Sequence, residues 1–252
     1  MKNHVRMEND MEAVKAVDLT KKYNDLIAVD NLNLEIKEGE LFSLLGVNGA
    51  GKTTAIKMLS CLTRPTSGEA FVGGKSVIYE SDEVKRVIGV SPQETAVAEN
   101  LSVQENLELM CGIYGFSKVK TRAKISEVSE RLNLGSILSK RAAKLSGGWK
   151  RRLSIGMALI SEPKILFLDE PTLGLDVIAR SELWDLISTL KGKVTIVLTT
   201  HYMEEAEALS DRVGIMKNGK LLVTGTPKEL MKMTSAERFE QAFISVVREE
   251  KI

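Results

Sequence analysis

Several things are scarce in this chain of 252 residues, and each shortage excludes a class of protein. Two cysteines, Cys61 and Cys111, are too few for a disulfide scaffold. Both fall in helix-like segments and read as reduced, buried thiols of an intracellular protein. Charge of one sign is lacking too. Lys plus Arg number 35 against 34 Asp plus Glu, a net charge of +1, which excludes a nucleic-acid binder driven by bulk charge. Long apolar runs are absent: stretches such as Ile165–Leu168 and Val194–Leu198 are strand-sized, whereas a membrane span needs about 20 residues. The first residues, Met1 to Lys15, carry acidic groups and no apolar stretch of signal-peptide type. A cytoplasmic location is therefore expected.

What is present is a foldable amount of apolar sequence. Hydrophobic residues make up 43% of the chain, too many for a disordered one. At this length, roughly 70–75% of the unfolded surface can be buried, in one large domain or two small ones. Val14–Asp18 and the residues Leu32, Leu34 and Ile36 alternate apolar with polar, as half-buried strands do. Leu41, Phe42, Leu44 and Leu45 form a denser run, of the kind buried on both faces of a parallel sheet. Ala55, Met58, Leu59 and Leu62 then recur at helical spacing, before a turn at Arg64-Pro65-Thr66-Ser67-Gly68.

From Glu94 to Ile160 the strand signals fade. Ser102-Val103-Gln104-Glu105 is a capping box, Ile125, Val128 and Leu132 mark a second helix, and a third begins after Ser146-Gly147-Gly148. Strand patterns return at Ile165–Leu168 and Thr195–Leu198, with a helix face of Leu183, Leu186, Ile187 and Leu190 between them. Asn218-Gly219 predicts a two-residue hairpin, and Thr226-Pro227 opens a last helix. Strands alternating with helices predict an α/β fold with a mainly parallel sheet and a helical insert.

Gly46-Val47-Asn48-Gly49-Ala50-Gly51-Lys52-Thr53 fits the pattern G-x-x-x-x-G-K-[ST] in full. Glycines let the backbone turn tightly, so that its N–H groups surround phosphate oxygens, and the following helix points its positive end at the same anion. Lys52 is expected to reach the β- and γ-phosphates, and Thr53 to ligate Mg²⁺. A chance match in a chain of this length has a probability of about 1%. Ile165–Leu168 ends in Asp169 and Glu170. Ligands of open α/β sheets bind beyond the carboxyl ends of strands, which places Asp169 beside the phosphate loop as a Mg²⁺ ligand and Glu170 where it can polarise water.

Leu145-Ser146-Gly147-Gly148-Trp149-Lys150 resembles the LSGGQ signature of the ATP-binding-cassette (ABC) ATPases. The resemblance runs from about Ala16 to Leu230, with every motif in order. Tyr23 stands where the family has an aromatic that stacks on adenine, Gln93 where it has the Q-loop glutamine, and His201 where it has the switch histidine. Leu173-Gly174-Leu175-Asp176 is similar to the D-loop, and Thr54 completes the phosphate loop. The resemblance implies a P-loop ATPase core with an N-terminal antiparallel subdomain. It divides the chain into a tail (1–12), a cassette (13–232) and a short C-terminal tail (233–252). Within the cassette, 13–93 and 161–232 are the nucleotide-binding core and 94–160 the helical signature subdomain.

It further implies ATP and Mg²⁺ as ligands, with Gln93 helping to hold the metal. Two cassettes pair head to tail, as a homodimer or heterodimer, with Ser146, Gly147, Gly148 and Asp176 of one chain facing nucleotide on the other. Trp149 departs from the family's glutamine and removes an amide side chain; it is expected to pack at the interface. With no span of its own, the chain is expected at the inner face of the cell membrane, bound to integral membrane permease subunits. The run Lys150-Arg151-Arg152-Leu153-Ser154 resembles the ABC-2 export branch, though it reads equally as the solvated face of a helix. An ABC ATPase acting on ribosomes, DNA or cluster assembly is the other reading. The near-zero charge and the lack of a long insert speak against it, and no nucleic-acid partner is expected.

Overall fold

The computed structural model describes residues 12–248. The expected tail over 1–12 lies, but for Glu12, outside the described residues. The alternating segment at the start forms two long strands, β1 (Glu12–Tyr23) and β2 (Leu26–Lys37), paired antiparallel around Asn24, whose φ is 51°. Together with β4 (Ser67–Val72) and β5 (Lys75–Ser76) they make a four-stranded sheet in the order β2-β1-β4-β5.

The dense apolar runs make a second sheet. It contains β3 (Leu41–Leu45), β6 (Ile88–Ser91), β7 (Ile165–Asp169), β8 (Thr195–Thr200), β9 (Arg212–Lys217) and β10 (Lys220–Gly225). Their order is β10-β9-β3-β8-β7-β6, and all pairs but β9–β10 are parallel. Every residue of β3, β7 and β8 is buried, because helices and the first sheet cover both faces. Side chains along β7 alternate between two cores: Leu166 and Leu168 pack with the helical segment, Ile165 and Phe167 with the first sheet and α1 (Lys52–Leu59). Asn218 and Gly219, with φ of 49° and 82°, form the expected hairpin turn between β9 and β10.

After α2 (Ser81–Val87), three longer helices lie between β6 and β7: α3 (Val103–Ile113), α4 (Lys118–Arg131) and α5 (Gly147–Leu159). The Ser102 capping box forms as expected, with Glu105 returning to the Ser102 N–H. Between β7 and β8 runs α6 (Val177–Leu190), which buries Leu183, Leu186, Ile187 and Leu190. Next comes α7 (Met203–Leu209), and Thr226 caps α8 (Pro227–Met233) with Pro227 in its first turn.

Three expectations need correction. Of the expected tail over 233–252, residues 249–252 lie outside the described residues, and 239–248 form α9 (Phe239–Arg248), whose Phe239 and Phe243 join Ala206, Ile215 and Leu230 in a third apolar cluster. Its apolar residues recur at helical spacing, so burying one face stabilises it. Cys61 is not helical; α1 ends at Leu59, Cys61 adopts φ 58° in the following turn and is half-buried, while Leu62 is exposed. Cys111 is buried in α3, and burial raises both thiols above their ordinary range, which keeps them protonated. The basic run after the signature is not a solvated face either. Arg151 and Arg152 are buried; Arg151 donates to the carbonyls of Pro92 and Gln93, and Arg152 pairs with Glu182 of α6.

Candidate functional site

Strand β3 delivers the chain into the phosphate loop, and α1 leaves it. The loop is tightly clasped by its neighbours. A Cβ on Gly46 would lie 2.4 Å from the Met216 carbonyl oxygen, and one on Gly51, where φ is 101°, would lie 2.4 Å from that of Ala28. The hairpin turn closes over the loop: the Gly219 N–H donates to the Ala50 carbonyl at 3.0 Å, and Asp30 N–H to that of Gly219 at 2.9 Å.

Lys52 curls back under this loop. Its Nζ donates to the carbonyl oxygens of Gly46 at 2.7 Å and Val47 at 3.3 Å. The same ammonium stands 3.2 Å from Glu170 Oε1, with both side chains almost fully buried. Glu170 presents its other oxygen to His201 Nδ1 at 2.9 Å. Lys52, Glu170 and His201 are thus one contiguous polar row. A buried ion pair of this kind persists only where further hydrogen bonds satisfy its members, and the carbonyls and the imidazole do so.

Glu170 has φ 48°, in the left-handed region that a non-glycine residue enters at a cost. Its N–H is held by Thr199, through Oγ1 at 3.0 Å and the carbonyl at 3.2 Å. This turn at the end of β7 aims the carboxylate at Lys52. Asp169, one residue earlier, faces the other way: Oδ1 accepts from Thr53 Oγ1 at 3.0 Å and from Thr199 Oγ1 at 2.5 Å.

A cleft of about 640 Å³ opens over this row. Of the residues singled out in the sequence, Tyr23, Asn48, Gly49, Ala50, Gly51, Lys52, Thr53, Thr54, Gln93, Glu170, Leu173 and His201 line it. Tyr23 is 44% exposed at its rim, so its ring is accessible for stacking. Ser146, Gly147, Gly148 and Asp176 are not among the lining residues. They lie together elsewhere: a Cβ on Gly147 would touch Leu175, and one on Gly148 would come 3.2 Å from Ala179. Ser146 opens α5 without a side-chain cap bond, while Asp176 caps α6 by accepting from the Ala179 N–H at 2.9 Å. Trp149 is half-buried against its own chain's core, with the Arg152 guanidinium 4.8 Å over its ring.

Sequence reading missed other parts. Leu26, Ile27, Ala28 and Asn218 also line the cleft, brought there by pairing of distant strands. Arg151 clamps the segment at Gln93, donating to the carbonyls of Pro92 at 2.6 Å and Gln93 at 2.7 Å. Thr199 carries the acidic turn, and Glu205 of α7 accepts from Thr172 Oγ1 at 2.8 Å and Trp184 Nε1 at 3.0 Å. A threonine near the end of a buried strand is the faint signal for the first; one glutamate among the three of α7 gives none for the second.

A strand, a glycine loop and a helix, with an acidic strand end beside them, define a P-loop site for a nucleoside triphosphate. Comparison with known proteins agrees. The family model described as ABC transporter matches residues 29–173, more than half of the chain. The probable multidrug ABC transporter ATP-binding protein YbhF of Escherichia coli is 41% identical over 242 residues, covering 94% of this chain and 42% of that one. The daunorubicin resistance ATP-binding protein DrrA3 of Streptomyces coeruleorubidus is 40% identical, covering 87% of this chain and 70% of that one. Among solved structures, the ATP-binding cassette MJ0796, a dimer bound to ADP and Pi after hydrolysis, superposes with a TM-score of 0.75 at 29% identity, over 84% of this chain and 98% of that one. The chain belongs to the ABC transporter family, and the described fold is that of its ATP-binding cassette.

Proposed function

We propose that this chain is the ATP-binding and ATP-hydrolysing subunit of an exporter, driving separate integral membrane permease subunits from the cytoplasmic face. The observation that carries the reading is the row Lys52–Glu170–His201 along the floor of one cleft. In this reading Lys52 leaves Glu170 for the γ-phosphate when ATP enters, and the loop N–H groups surround the phosphates. Glu170, freed of its ammonium, orients and polarises the attacking water. His201 contacts the γ-phosphate, Gln93 faces the same centre, and Tyr23 stacks on the base.

The residues present fit Mg²⁺. The hydroxyl of Thr53 and the carboxylate of Asp169 are hard oxygen donors 3.0 Å apart. Among the described residues no group of three or more His, Cys, Asp or Glu forms a cage, which suits an ion completed by water and phosphate oxygens. When bound, Mg²⁺ supplies neutralisation of phosphate charge.

A second cassette supplies what one chain lacks. Ser146, Gly147 and Gly148 sit at a helix N-terminus away from their own cleft, and such an end binds an anion held by another copy. Val177 and Ile178 beside the D-loop are 77% and 72% exposed, as a partner face requires. No described helix is long and apolar enough to cross a membrane. The names of YbhF and DrrA3 speak of a multidrug transporter and of daunorubicin resistance, in favour of export.

The direct test is Glu170→Gln. Steady-state ATPase is expected to fall by about 10²-fold or more, while ATP binding and an ATP-induced dimer, read by gel filtration, persist. A wild-type rate in this variant reassigns the base.

A further inference from the structure

His201 is held by more than its bond to Glu170. Its ring lies against that of Tyr202, with centroids 4.1 Å apart and planes tilted by 38°. The Arg180 guanidinium carbon in turn lies 4.5 Å from the centre of the Tyr202 ring. Arg180 belongs to the first turns of α6, where its N–H donates to the carbonyl of the capping residue Asp176 at 3.0 Å. Its Nε is buried and has no hydrogen-bond partner among the described residues. Leaving that donor unpaired is costly, so the aromatic face rather than polar pairing through Nε sets where the guanidinium sits. Tyr202 is itself fixed, its N–H donating to Thr200 Oγ1 at 2.9 Å at the end of β8.

We infer that Arg180 and Tyr202 are positioning residues for His201, a stacked bracket that ties the imidazole to the segment opening α6. The bracket begins at the Leu173–Asp176 loop, which leads directly into α6, and ends on a side chain at the floor of the cleft. Any displacement of that loop by a second cassette shifts Arg180, and through Tyr202 it shifts the imidazole. A side chain aimed at a transferring phosphoryl group tolerates little misplacement, so the bracket acts on turnover and not on nucleotide affinity. The inference rests on the reading of His201 as a group that acts on bound nucleotide.

The test compares Tyr202→Phe, Tyr202→Ala, Arg180→Met and His201→Ala in the full chain, by steady-state ATPase and by ATP binding. Tyr202→Ala and Arg180→Met are expected to lower kcat by about tenfold with KM within about twofold, and Tyr202→Phe, which keeps the ring, to restore kcat. The double variant His201→Ala/Tyr202→Ala is expected to be no slower than His201→Ala alone. The chain has two histidines, His4 and His201, so imidazole ring signals are easily assigned by NMR. The His201 signal is expected to move in Tyr202→Ala and Arg180→Met, and to stay in place in Tyr202→Phe. A wild-type rate in His201→Ala overturns the reading of His201. A loss in His201→Ala with unchanged kcat and unmoved signal in Tyr202→Ala overturns the bracket alone, as does a loss that adds to that of His201→Ala.

Discussion

Thr199 shows how much one buried hydroxyl carries. It is fully buried, accepts the Glu170 N–H and donates to Asp169 Oδ1, so it holds both acidic residues in their opposite orientations. Glu170 keeps φ 48° only because its surroundings determine it so completely. Thr199→Val preserves shape and removes both bonds. It is expected to cost about 1–3 kcal/mol of stability, read by urea unfolding, and to lower ATPase more than ATP binding. An unchanged turnover would show that the acidic turn holds without it. At this scale Lys52, Thr53, Asp169 and Glu170 were legible from motif chemistry, whereas Thr199 and Arg151 were not. Their partners are backbone atoms and side chains far away in sequence, which no local pattern encodes.

Helix α7 carries a second device. Glu205 is wholly buried, takes hydrogen bonds from Thr172 and Trp184, and so joins the loop after Glu170 to α6. Burial pushes its carboxyl above the ordinary value of 4.5; the bonds from Thr200, Thr172 and Trp184 pull the other way, and the charge of Glu170 adds to the rise. Above pH 4.5, and up to its raised folded value, the folded chain holds a proton that the unfolded chain releases. The stability contribution is therefore full below about pH 4.5 and is lost as pH rises through the folded value. Glu205→Gln removes the titration and keeps an acceptor for both donors. Its stability relative to wild type is expected to increase as pH rises from about 4.5 toward neutrality, measured by urea unfolding across that range. A difference independent of pH would refute this account. Element identity was read well where periodicity was strong, as in α6. It failed at 239–248, although Phe239, Ala242, Phe243, Val246 and Val247 recur at helical spacing; burial in the cluster beside α8 is what gives that face a purpose.

Taken whole, the cassette keeps the N-terminus of α5 away from its own phosphate loop: Ser146, Gly147 and Gly148 are not among the residues that line the cleft. Gly147 and Gly148 open α5 beside Leu175 and Ala179, while the cleft is lined by β2, the phosphate loop and the segments that follow β7 and β8. In a head-to-tail pair, each site then draws on both chains. Lys52→Ala and Ser146→Arg are each expected to abolish ATPase. Mixed in equal amounts, they are expected to recover about a quarter of wild-type activity, since half the dimers are mixed and each carries one intact site. Failure to recover activity, with exchange of chains confirmed by labelling, would exclude shared sites in a homodimer.

By itself, the sequence determined the α/β fold, the helical insert and the place of the glycine loop between a buried strand and a helix. Burial on two faces, helical spacing and a glycine-rich turn are local properties that neighbouring residues enforce. Only the tertiary structure decided that Arg151 grips the Q-loop backbone, that Trp149 folds onto its own chain, and that Arg180 reaches His201 through Tyr202. These contacts join residues that meet only when helices pack on the sheet, and packing is set by the summed burial of many side chains rather than by any one motif.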